Sequence, residues 1–313
     1  MSKIYNVSSS PHIKDTSSTQ TIMRDVCISL IPVTLYGAVH FGEHALIVII
    51  LTVLSCVLSE LVWEKLMRLP VTIGDYSAAV TGLILALNLP PEVPYWIPVL
   101  GGVFAIIVVK QLYGGLGQNF MNPALAARCF LLISFARNMT DLTSYNIGFD
   151  GVSSATPLAI MKSGGNVDIS DLIFGNIPGS IGEVSAILLL IGAVYLLLRK
   201  VITFRIPLTY ILSFALFVFI FGKQDLYYVG CQIFAGGLMF GAFFMADDYV
   251  TSPMTIKGQY VYAVFLGIIT GIFRLWGASA EGVSYAILLG NLVTPLIERV
   301  TLPEAFGREG RKK

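Results

Sequence analysis

Charged side chains are scarce in this chain. Lys and Arg number 20 and Asp and Glu number 19, together 12% of the 313 residues. Soluble domains carry about 25% charged residues, so this chain has too few to cover a water-exposed surface of its size. The formal net charge of +1 also gives nucleic-acid binding no electrostatic support. Together with a hydrophobic fraction of 55%, the scarcity of charge indicates an integral membrane protein.

Cysteine, histidine and phosphate-binding glycine motifs are also rare or absent. The four cysteines lie far apart in apolar runs, and the three histidines show no metal-ligand spacing. We therefore expect neither a disulfide framework nor a metal site. The sequence has no Walker-type glycine motif and no G-x-G-x-x-G after a strand. These absences exclude a nucleotide-hydrolysing motor within the chain, and we assign no catalytic residue.

Long apolar segments fill most of the chain. A helix needs about 20 mostly apolar residues to cross about 30 Å of hydrocarbon. Ten segments are candidates, of which the third and fifth are short and rich in small or polar residues. We therefore predict an all-α integral membrane protein with about ten transmembrane helices. The segments are 24–41, 44–63, 75–90, 94–112, 120–137, 182–202, 206–222, 226–246, 259–276 and 283–301.

The positions of Lys and Arg predict the orientation of these helices. Cytoplasmic loops carry an excess of both residues, and most of them fall on the side of the N-terminus. Both termini are therefore expected in the cytoplasm, and the long loop after the fifth segment outside it. The resulting regions are a cytoplasmic tail (1–23), a first membrane half (24–137), an extracytoplasmic loop (138–181), a second membrane half (182–301) and a basic cytoplasmic tail (302–313).

A weak internal repeat relates the two halves. The fifth segment contains Asn119 and Pro123, and the tenth contains Asn291 and Pro295, with the same spacing. Since each half has an odd number of helices, the second half would cross the membrane in the opposite sense, as a five-plus-five inverted repeat. Such repeats place a site or pathway near the middle of the membrane. The alternative is that Pro and Asn merely recur in membrane helices.

Polar residues inside apolar segments are costly and are functional candidates by default. Arg128 is the clearest of them. Its partner could be an anion or a cofactor phosphate, or a backbone carbonyl. Asn119, Asn122 and Pro123 interrupt the start of the same segment and would suit a broken-helix site for an ion or a ring.

Three aspartates mark the predicted cytoplasmic ends of two segments. Asp75 begins the third segment, and Asp247 and Asp248 follow the eighth. Carboxylates in these positions would suit an entrance for Na⁺ or H⁺, although acidic residues at helix ends are also common solvated caps. We treat these aspartates as candidate residues of an ion pathway.

The outer loop carries the pattern D-x-x-S-S-A-T. Its residues are Asp150, Ser153, Ser154, Ala155 and Thr156. A Thr hydroxyl among such small side chains is accessible, but it is a poor nucleophile unless an enzyme activates it. The same stretch also fits a helix start, with Ser153 or Ser154 capping a short helix through "PLAIMK" and Pro157 in its first turn. The residues alone leave both interpretations open.

Nearly the whole chain resembles the RnfD/NqrB family of membrane proteins from redox-driven ion pumps. RnfD belongs to the Rnf ion-translocating ferredoxin:NAD⁺ oxidoreductase complex, and NqrB belongs to the Na⁺-translocating NADH:quinone reductase. The stretches that carry the resemblance are "GDYSAAVTGLILALNLP" (74–90), "GQNFMNPALAAR" (117–128), "MADDYVTSP" (245–253) and the loop pattern (150–156). In the family, a flavin transferase reads the loop pattern and joins FMN to its final Thr through a phosphoester bond. The resemblance thus implies covalent FMN on Thr156, with Ser154 where the family commonly has Gly.

The resemblance also implies a role within a larger assembly. The chain would be one subunit of a translocase in the bacterial inner (cytoplasmic) membrane and would not be catalytic on its own. Electrons would pass between ferredoxin and NAD⁺ while Na⁺ or H⁺ crosses the membrane. Implied partners are the other Rnf subunits, especially the second subunit with covalent FMN and the iron–sulfur subunits, the flavin transferase during maturation, and membrane lipid. The family relative also binds a second, non-covalent flavin (riboflavin), which no motif places in this chain.

The resemblance and the residues leave two alternatives, one within the family and one outside it. The chain could be NqrB of the quinone reductase, although that protein usually has a longer N-terminal extension. A solute channel or transporter without redox chemistry would also suit a five-plus-five repeat. The D-x-x-S-S-A-T pattern argues against this second alternative, because a pore has no use for it.

Overall fold

The chain folds into helices throughout the part that the computed structural model describes, namely residues 17–140, 156–175, 177–183, 185–277 and 282–303. No β-strand occurs in these ranges. The α-helices are α1 (Thr19–Phe41), α2 (Glu43–Leu66), α3 (Ser77–Leu87), α4 (Trp96–Val103), α5 (Pro123–Ser134), α6 (Ala136–Thr140), α7 (Pro157–Lys162), α8 (Ile169–Phe174), α9 (Ala186–Leu198), α10 (Arg205–Phe221), α11 (Leu226–Phe234), α12 (Leu238–Phe240), α13 (Ile256–Trp276) and α14 (Val283–Thr301). The π-helices Phe104–Lys110 and Gly241–Met245 continue α4 and α12, and 3₁₀ turns occupy Ile73–Asp75 and Gln111–Tyr113.

Apolar helices occupy all ten predicted segments. In the described part of the chain, α1, α2, α4 with its continuation to Tyr113, α13 and α14 are each long and apolar enough to cross a membrane. Helices α11 and α12 form a further such span, which bends by 65° at its break. The shorter apolar helices α3, α5, α9 and α10 account for the other four segments. The predicted all-α membrane fold is confirmed, although these four segments are shorter than a full span.

Local sequence signals set the helix starts. Ser18 and Thr21 form a capping box at α1, in which each side chain accepts the backbone N–H of the other. At α5, Asn122 accepts the N–H of Ala124 at 3.1 Å, and Pro123 takes the first helical position. The asparagine and proline that were predicted to interrupt this helix therefore begin it.

The two halves share one hydrophobic core. Buried side chains from both halves, among them Leu30, Leu85, Phe214 and Leu266, belong to a single cluster. Helix α1 packs on α9, α2 packs on α3 and α4, and α10 packs on α13. At the α10–α13 contact, a Cβ on Gly267 would lie 2.7 Å from the backbone nitrogen of Phe214. Small residues of this kind allow membrane helices to approach closely.

The described part of the stretch between the halves, from residue 156 onward, packs against the helices of the second half and the end of α3. Helices α7 and α8 pack against the broken span in a second small core. Residues 177–183, which we call the linker segment, then run largely buried beside the end of α3. There Ile181 and Gly182 donate their N–H groups to the carbonyls of Leu89 and Leu87 at 3.1 and 2.7 Å. A membrane protein tolerates irregular backbone where it is buried in protein in this way.

Candidate functional site

Thr156 lies at the start of α7. It is the N-cap of this helix, because its hydroxyl accepts a hydrogen bond from the N–H of Ala159 at 3.3 Å, and Pro157 follows in the first helical position. The short helix through Lys162 that the sequence suggested is therefore present, but its cap is Thr156 and not one of the two serines. The other residues of the loop pattern lie outside the described residues, namely Asp150, Ser153, Ser154 and Ala155.

A cavity with about 260 Å³ of empty space opens beside Thr156, and we call it the Thr156 cavity. It lies where α7, the linker segment and Gly236 of the broken span meet. Among its described lining residues, Glu183 is the charged one, and most of the others are apolar or small.

Arg128 is buried in a polar network with Glu183. Its guanidinium lies 3.3 Å from the Glu183 carboxylate and donates to the side chains of Asn88 at 2.7 Å and Ser284 at 2.9 Å. Arg128 and Glu183 are each only 4% exposed. The sequence left open whether Arg128 pairs with an anion or with a backbone carbonyl. The structure shows an anion, but it is a carboxylate of the protein itself.

The break between α11 and α12 lies against this network. Gly236 has a left-handed backbone conformation, with φ of +65°, and a Cβ on Gly237 would lie 2.4 Å from Oε1 of Glu183. Arg274 donates to backbone carbonyls at the C-terminal end of α11. The helix dipoles favour both charges, because the carboxylate of Glu183 lies near the start of α12 and the guanidinium of Arg274 lies at the C-terminal end of α11. A bent, broken span thus occurs in the eighth segment, and the site predicted at Asn119 and Asn122 stays a prediction.

A second cavity brings four of the predicted polar residues together, and we call it the polar cavity. It contains about 810 Å³ of empty space, part of it continuous with solvent. Asn119 and Asn122 line it from the start of α5. Asp247 and Asp248 line it from the turn after the broken span. Its aromatic lining residues are Phe243, Phe244 and Tyr249.

The two segments that carry the repeated Asn and Pro meet beside this cavity. The backbone N–H of Asn122 donates to the side-chain oxygen of Asn291 at 3.1 Å, in the amide orientation that satisfies both ends of Asn291. The prolines occupy different places, however, since Pro123 begins α5 and Pro295 lies inside α14. The five-plus-five inverted repeat stays a prediction.

Asp247 and Asp248 have side chains that are held by hydrogen bonds. Asp247 accepts the N–H of Thr203 at 3.1 Å, and Asp248 accepts the hydroxyl of Thr251 at 3.1 Å. Burial raises the pKa of Asp247 to about 6, with the Thr203 contact opposing the rise and the charge of Asp248 adding to it. Burial also raises the pKa of Asp248. Both carboxyl groups therefore titrate closer to neutral pH than an exposed aspartate does.

A buried ion pair that sequence analysis missed lies next to the polar cavity. Lys110 lines the cavity, and its Nζ is 2.6 Å from Oε1 of Glu60, with both side chains buried. Gln111 also donates to Glu60, at 2.7 Å. Lys110 donates to the hydroxyl of Ser77 at 2.6 Å, and Ser77 donates to Asp75 at 2.6 Å. Asp75 is therefore connected to the cavity through Ser77 and Lys110.

Glu60 and Glu183 are buried carboxylates that sequence analysis missed. Each lies within a predicted apolar segment, 44–63 or 182–202. An acidic residue in such a segment is a functional candidate by default. The same rule that selected Arg128 would have found both glutamates if it had been applied to every charge in the ten segments.

The fold and the two cavities define a multi-pass helical membrane protein with buried charge at its centre. The NQR2, RnfD, RnfE family model matches residues 6–307, which is nearly the whole chain. The chain belongs to this family.

Several similar proteins align over almost their entire length. The D subunit of the Na⁺-translocating ferredoxin:NAD⁺ oxidoreductase complex of Acetobacterium woodii is 48% identical, and the alignment covers 98% of this chain and 96% of that protein. The D subunit of the proton-translocating ferredoxin:NAD⁺ oxidoreductase complex of Clostridium ljungdahlii is 42% identical, with 97% and 96% covered. The D subunit of the ion-translocating oxidoreductase complex of Stutzerimonas stutzeri is 36% identical, with 95% and 94% covered.

Proposed function

We propose that the chain is RnfD, the D subunit of an ion-translocating ferredoxin:NAD⁺ oxidoreductase complex, and that it carries FMN on Thr156. The assignment to the complex is supported by two relatives from complexes of this kind, which align over nearly the whole chain. As one subunit of a translocase, the chain takes part in electron transport and ion transport. Electrons pass between ferredoxin and NAD⁺ within the complex, while Na⁺ or H⁺ crosses the membrane.

The observation that carries the FMN proposal is the position of Thr156. This residue is the last of the D-x-x-S-S-A-T pattern, and its side chain is partly exposed at the edge of the Thr156 cavity. Its oxygen would keep a lone pair after forming a phosphoester, so it could still accept the N–H of Ala159. The hydroxyl is unactivated by the described residues, which is consistent with attachment by a separate flavin transferase.

The residues around Thr156 suit a flavin. The lining is mainly apolar and small, with one carboxylate among the described residues, and such linings are typical of small-molecule sites. FMN supplies the redox chemistry when bound, whereas the protein supplies position and electrostatics. A covalent bond also retains a cofactor that could not readily be replaced outside the cytoplasm.

We place a second, non-covalent flavin, riboflavin, in the polar cavity. The cavity contains about 810 Å³ of empty space, part of it continuous with solvent. Aromatic side chains in the lining can stack on a flat ring system. The side chain of Asn119 can hydrogen-bond to the polar edge of such a ring.

We also propose that the aspartates beside the polar cavity form an ion entrance. Asp247 and Asp248 line the cavity, and Asp75 is linked to it through a serine and a lysine. A carboxyl group with a pKa of about 6 can exchange protons near neutral pH. Carboxylate oxygens are also suitable ligands for a hard cation such as Na⁺.

In our proposal, the protein lies in the bacterial inner membrane with both termini in the cytoplasm. This orientation follows from the distribution of Lys and Arg. It places the polar cavity towards the cytoplasm and Thr156 on the outer side. The partners are the other Rnf subunits, in particular the second subunit with covalent FMN and the iron–sulfur subunits, with the flavin transferase acting during maturation.

The FMN proposal is tested by producing the protein together with its flavin transferase. The wild-type band on a denaturing gel should fluoresce under ultraviolet light, and Thr156→Ala should abolish the fluorescence, because the phosphoester needs the threonine oxygen. Ser163→Ala, which removes an exposed hydroxyl just after the same helix, is the matched control and should stay fluorescent. A dark wild-type band, or a fluorescent Thr156→Ala band, would refute the attachment.

A further inference from the structure

We infer that Glu183, held in place by Arg128, sets the reduction potential of the flavin on Thr156. The inference rests on the proposed function, because it requires a flavin at that residue. It extends the proposal by naming the side chains that determine how readily this flavin accepts electrons. Glu183 acts on the flavin directly, whereas Arg128 acts through Glu183 and is a positioning residue.

The position of Glu183 links the Thr156 cavity to the buried charges. Glu183 lines the cavity together with Thr156, although it is almost fully buried. Its carboxylate lies 3.3 Å from the guanidinium of Arg128. Asn88 at the end of α3 and Ser284 in the first turn of α14 hold that guanidinium at 2.7 and 2.9 Å. The surrounding helices therefore fix the carboxylate beside the cavity.

The lack of a side chain at Gly237 leaves space for the carboxylate of Glu183 beside Arg128. A Cβ on Gly237 would lie 2.4 Å from Oε1 of Glu183 and 3.7 Å from a guanidinium nitrogen of Arg128. The linker segment that carries Glu183 is fixed by the hydrogen bonds from Ile181 and Gly182 to the end of α3. The helix break and the linker segment thus cooperate to hold one charged pair at the cavity.

The electrostatic effect of the pair follows from the sign of each charge. Reduction adds negative charge to a flavin, so a nearby carboxylate lowers the reduction potential and a nearby guanidinium raises it. Both effects are stronger in a low-dielectric interior than in water. Because Arg128 and Glu183 largely balance each other, neutralising one of them exposes the flavin to the other. The two neutralising substitutions must therefore shift the potential in opposite directions.

The test is a potentiometric titration of the purified complex, followed by visible absorbance. The redox transition that is missing in the Thr156→Ala complex identifies the flavin of interest. Glu183→Gln should raise the midpoint potential of this flavin, and Arg128→Gln should lower it. Each shift should change the reduced-to-oxidised ratio at a fixed potential by on the order of tenfold. The control is Glu43→Gln, which neutralises an exposed carboxylate at the start of α2 and should leave this transition unchanged.

The outcomes separate the inference from the proposed function. Unchanged potentials, or shifts in the same direction for Glu183→Gln and Arg128→Gln, would overturn the inference while the flavin stays attached. If Glu183→Gln carries no flavin, Glu183→Asp keeps the charge and should carry flavin at the wild-type potential. Loss of flavin from both Glu183 variants would also overturn the inference, because Glu183 would then serve attachment. The absence of any Thr156-dependent transition in the wild-type complex would refute the proposed function instead.

Discussion

Two ion pairs with both side chains buried lie close to the two cavities. Arg128 pairs with Glu183 beside the Thr156 cavity, and Lys110 pairs with Glu60 beside the polar cavity. Removing a charge from water costs several kcal/mol per ion, and only good geometry and further hydrogen bonds offset that cost. Additional partners are present at both pairs. We interpret these pairs as serving function at the cavities, since well-packed apolar side chains often stabilise such sites equally well.

Removing Lys110 should destabilise the protein strongly. Lys110→Met leaves the buried carboxylate of Glu60 without its cation, which costs about 3–5 kcal/mol for a buried pair. Thermal unfolding in detergent should show a lower midpoint for this variant, partly restored in the double variant Glu60→Gln/Lys110→Met. Lys257→Met, at an exposed lysine, serves as control and should unfold like the wild type. An unchanged midpoint for Lys110→Met would contradict the buried pair.

Asp247 should make the stability depend on pH between about 4 and 6. Its pKa is raised from 3.8 to about 6 in the folded protein, so the folded state binds more protons than the unfolded state in this window. Stability should therefore fall as the pH rises from about 4 to 6, and level off above it. Unfolding midpoints measured across this range should show a smaller decline for Asp247→Asn. The same decline in wild type and variant would show that other groups cause it.

Among single residues, the sequence singles out those that a pattern of neighbouring residues marks. A contiguous pattern marks Thr156, and the family resemblance gives that pattern a role, which stays a prediction. Asn119 and Asn122 stand out because they lie near a proline in an apolar segment. The partner of Arg128 could not be predicted, since Glu183 lies 55 positions further along the chain and only folding brings the two together.

The helix break and the linker segment are the elements that shape the Thr156 cavity. The break separates α11 from α12 at Gly236 and Gly237, and the linker segment inserts Glu183 into the space beside it. Glycine is required at the first of these positions by its positive φ. At the second it is required by the close approach of Glu183.

Filling the break should disturb the cavity. Gly237→Ala places a methyl group 2.4 Å from Oε1 of Glu183, which Arg128 prevents from moving away freely. Overpacking of this kind costs about 1–3 kcal/mol, and the unfolding midpoint in detergent should fall accordingly. Gly179→Ala is a matched control in the linker segment, because a Cβ there meets nothing within 4 Å. Equal midpoints for the two variants would contradict the described packing.

The helical elements were largely predictable, whereas their irregularities were not. Apolar runs marked all ten segments, because side chains that are buried or face lipid must be apolar along a whole helix. The sequence "FAGGLMFG" (234–241) is compatible with an unbroken helix, since glycine also occurs in packed membrane helices. Its bend of 65° lies against the linker segment and Arg274, which are distant in the sequence and which no local pattern shows.

At the scale of the whole molecule, the chain joins two helical halves around one core. Asp25 of α1 accepts hydrogen bonds from Tyr195 at 3.2 Å and Arg199 at 3.0 Å, both at the end of α9. These hydrogen bonds link α1, the first helix of one half, to α9, the first helix of the other. The two cavities lie on different parts of this core, with Thr156 in one and the paired aspartates in the other. In our proposed orientation, the covalent flavin and the candidate ion entrance therefore lie on opposite faces of the protein.

The orientation can be tested with cysteines in a cysteine-free background. Lys162→Cys, at the end of α7, should react with a membrane-impermeant thiol reagent in intact cells, because its loop is predicted to lie outside. Lys257→Cys, near the start of α13, is the opposite control and should react only in inverted vesicles. The reverse pattern of labelling would show that both termini lie outside the cytoplasm.

The measurement that tests the central claim most directly is mass spectrometry of the protein purified from cells that contain its flavin transferase. The peptide that contains Thr156 should carry the added mass of FMN less one water, and fragmentation should assign this mass to Thr156. An unmodified peptide, or FMN on another residue, would contradict the account.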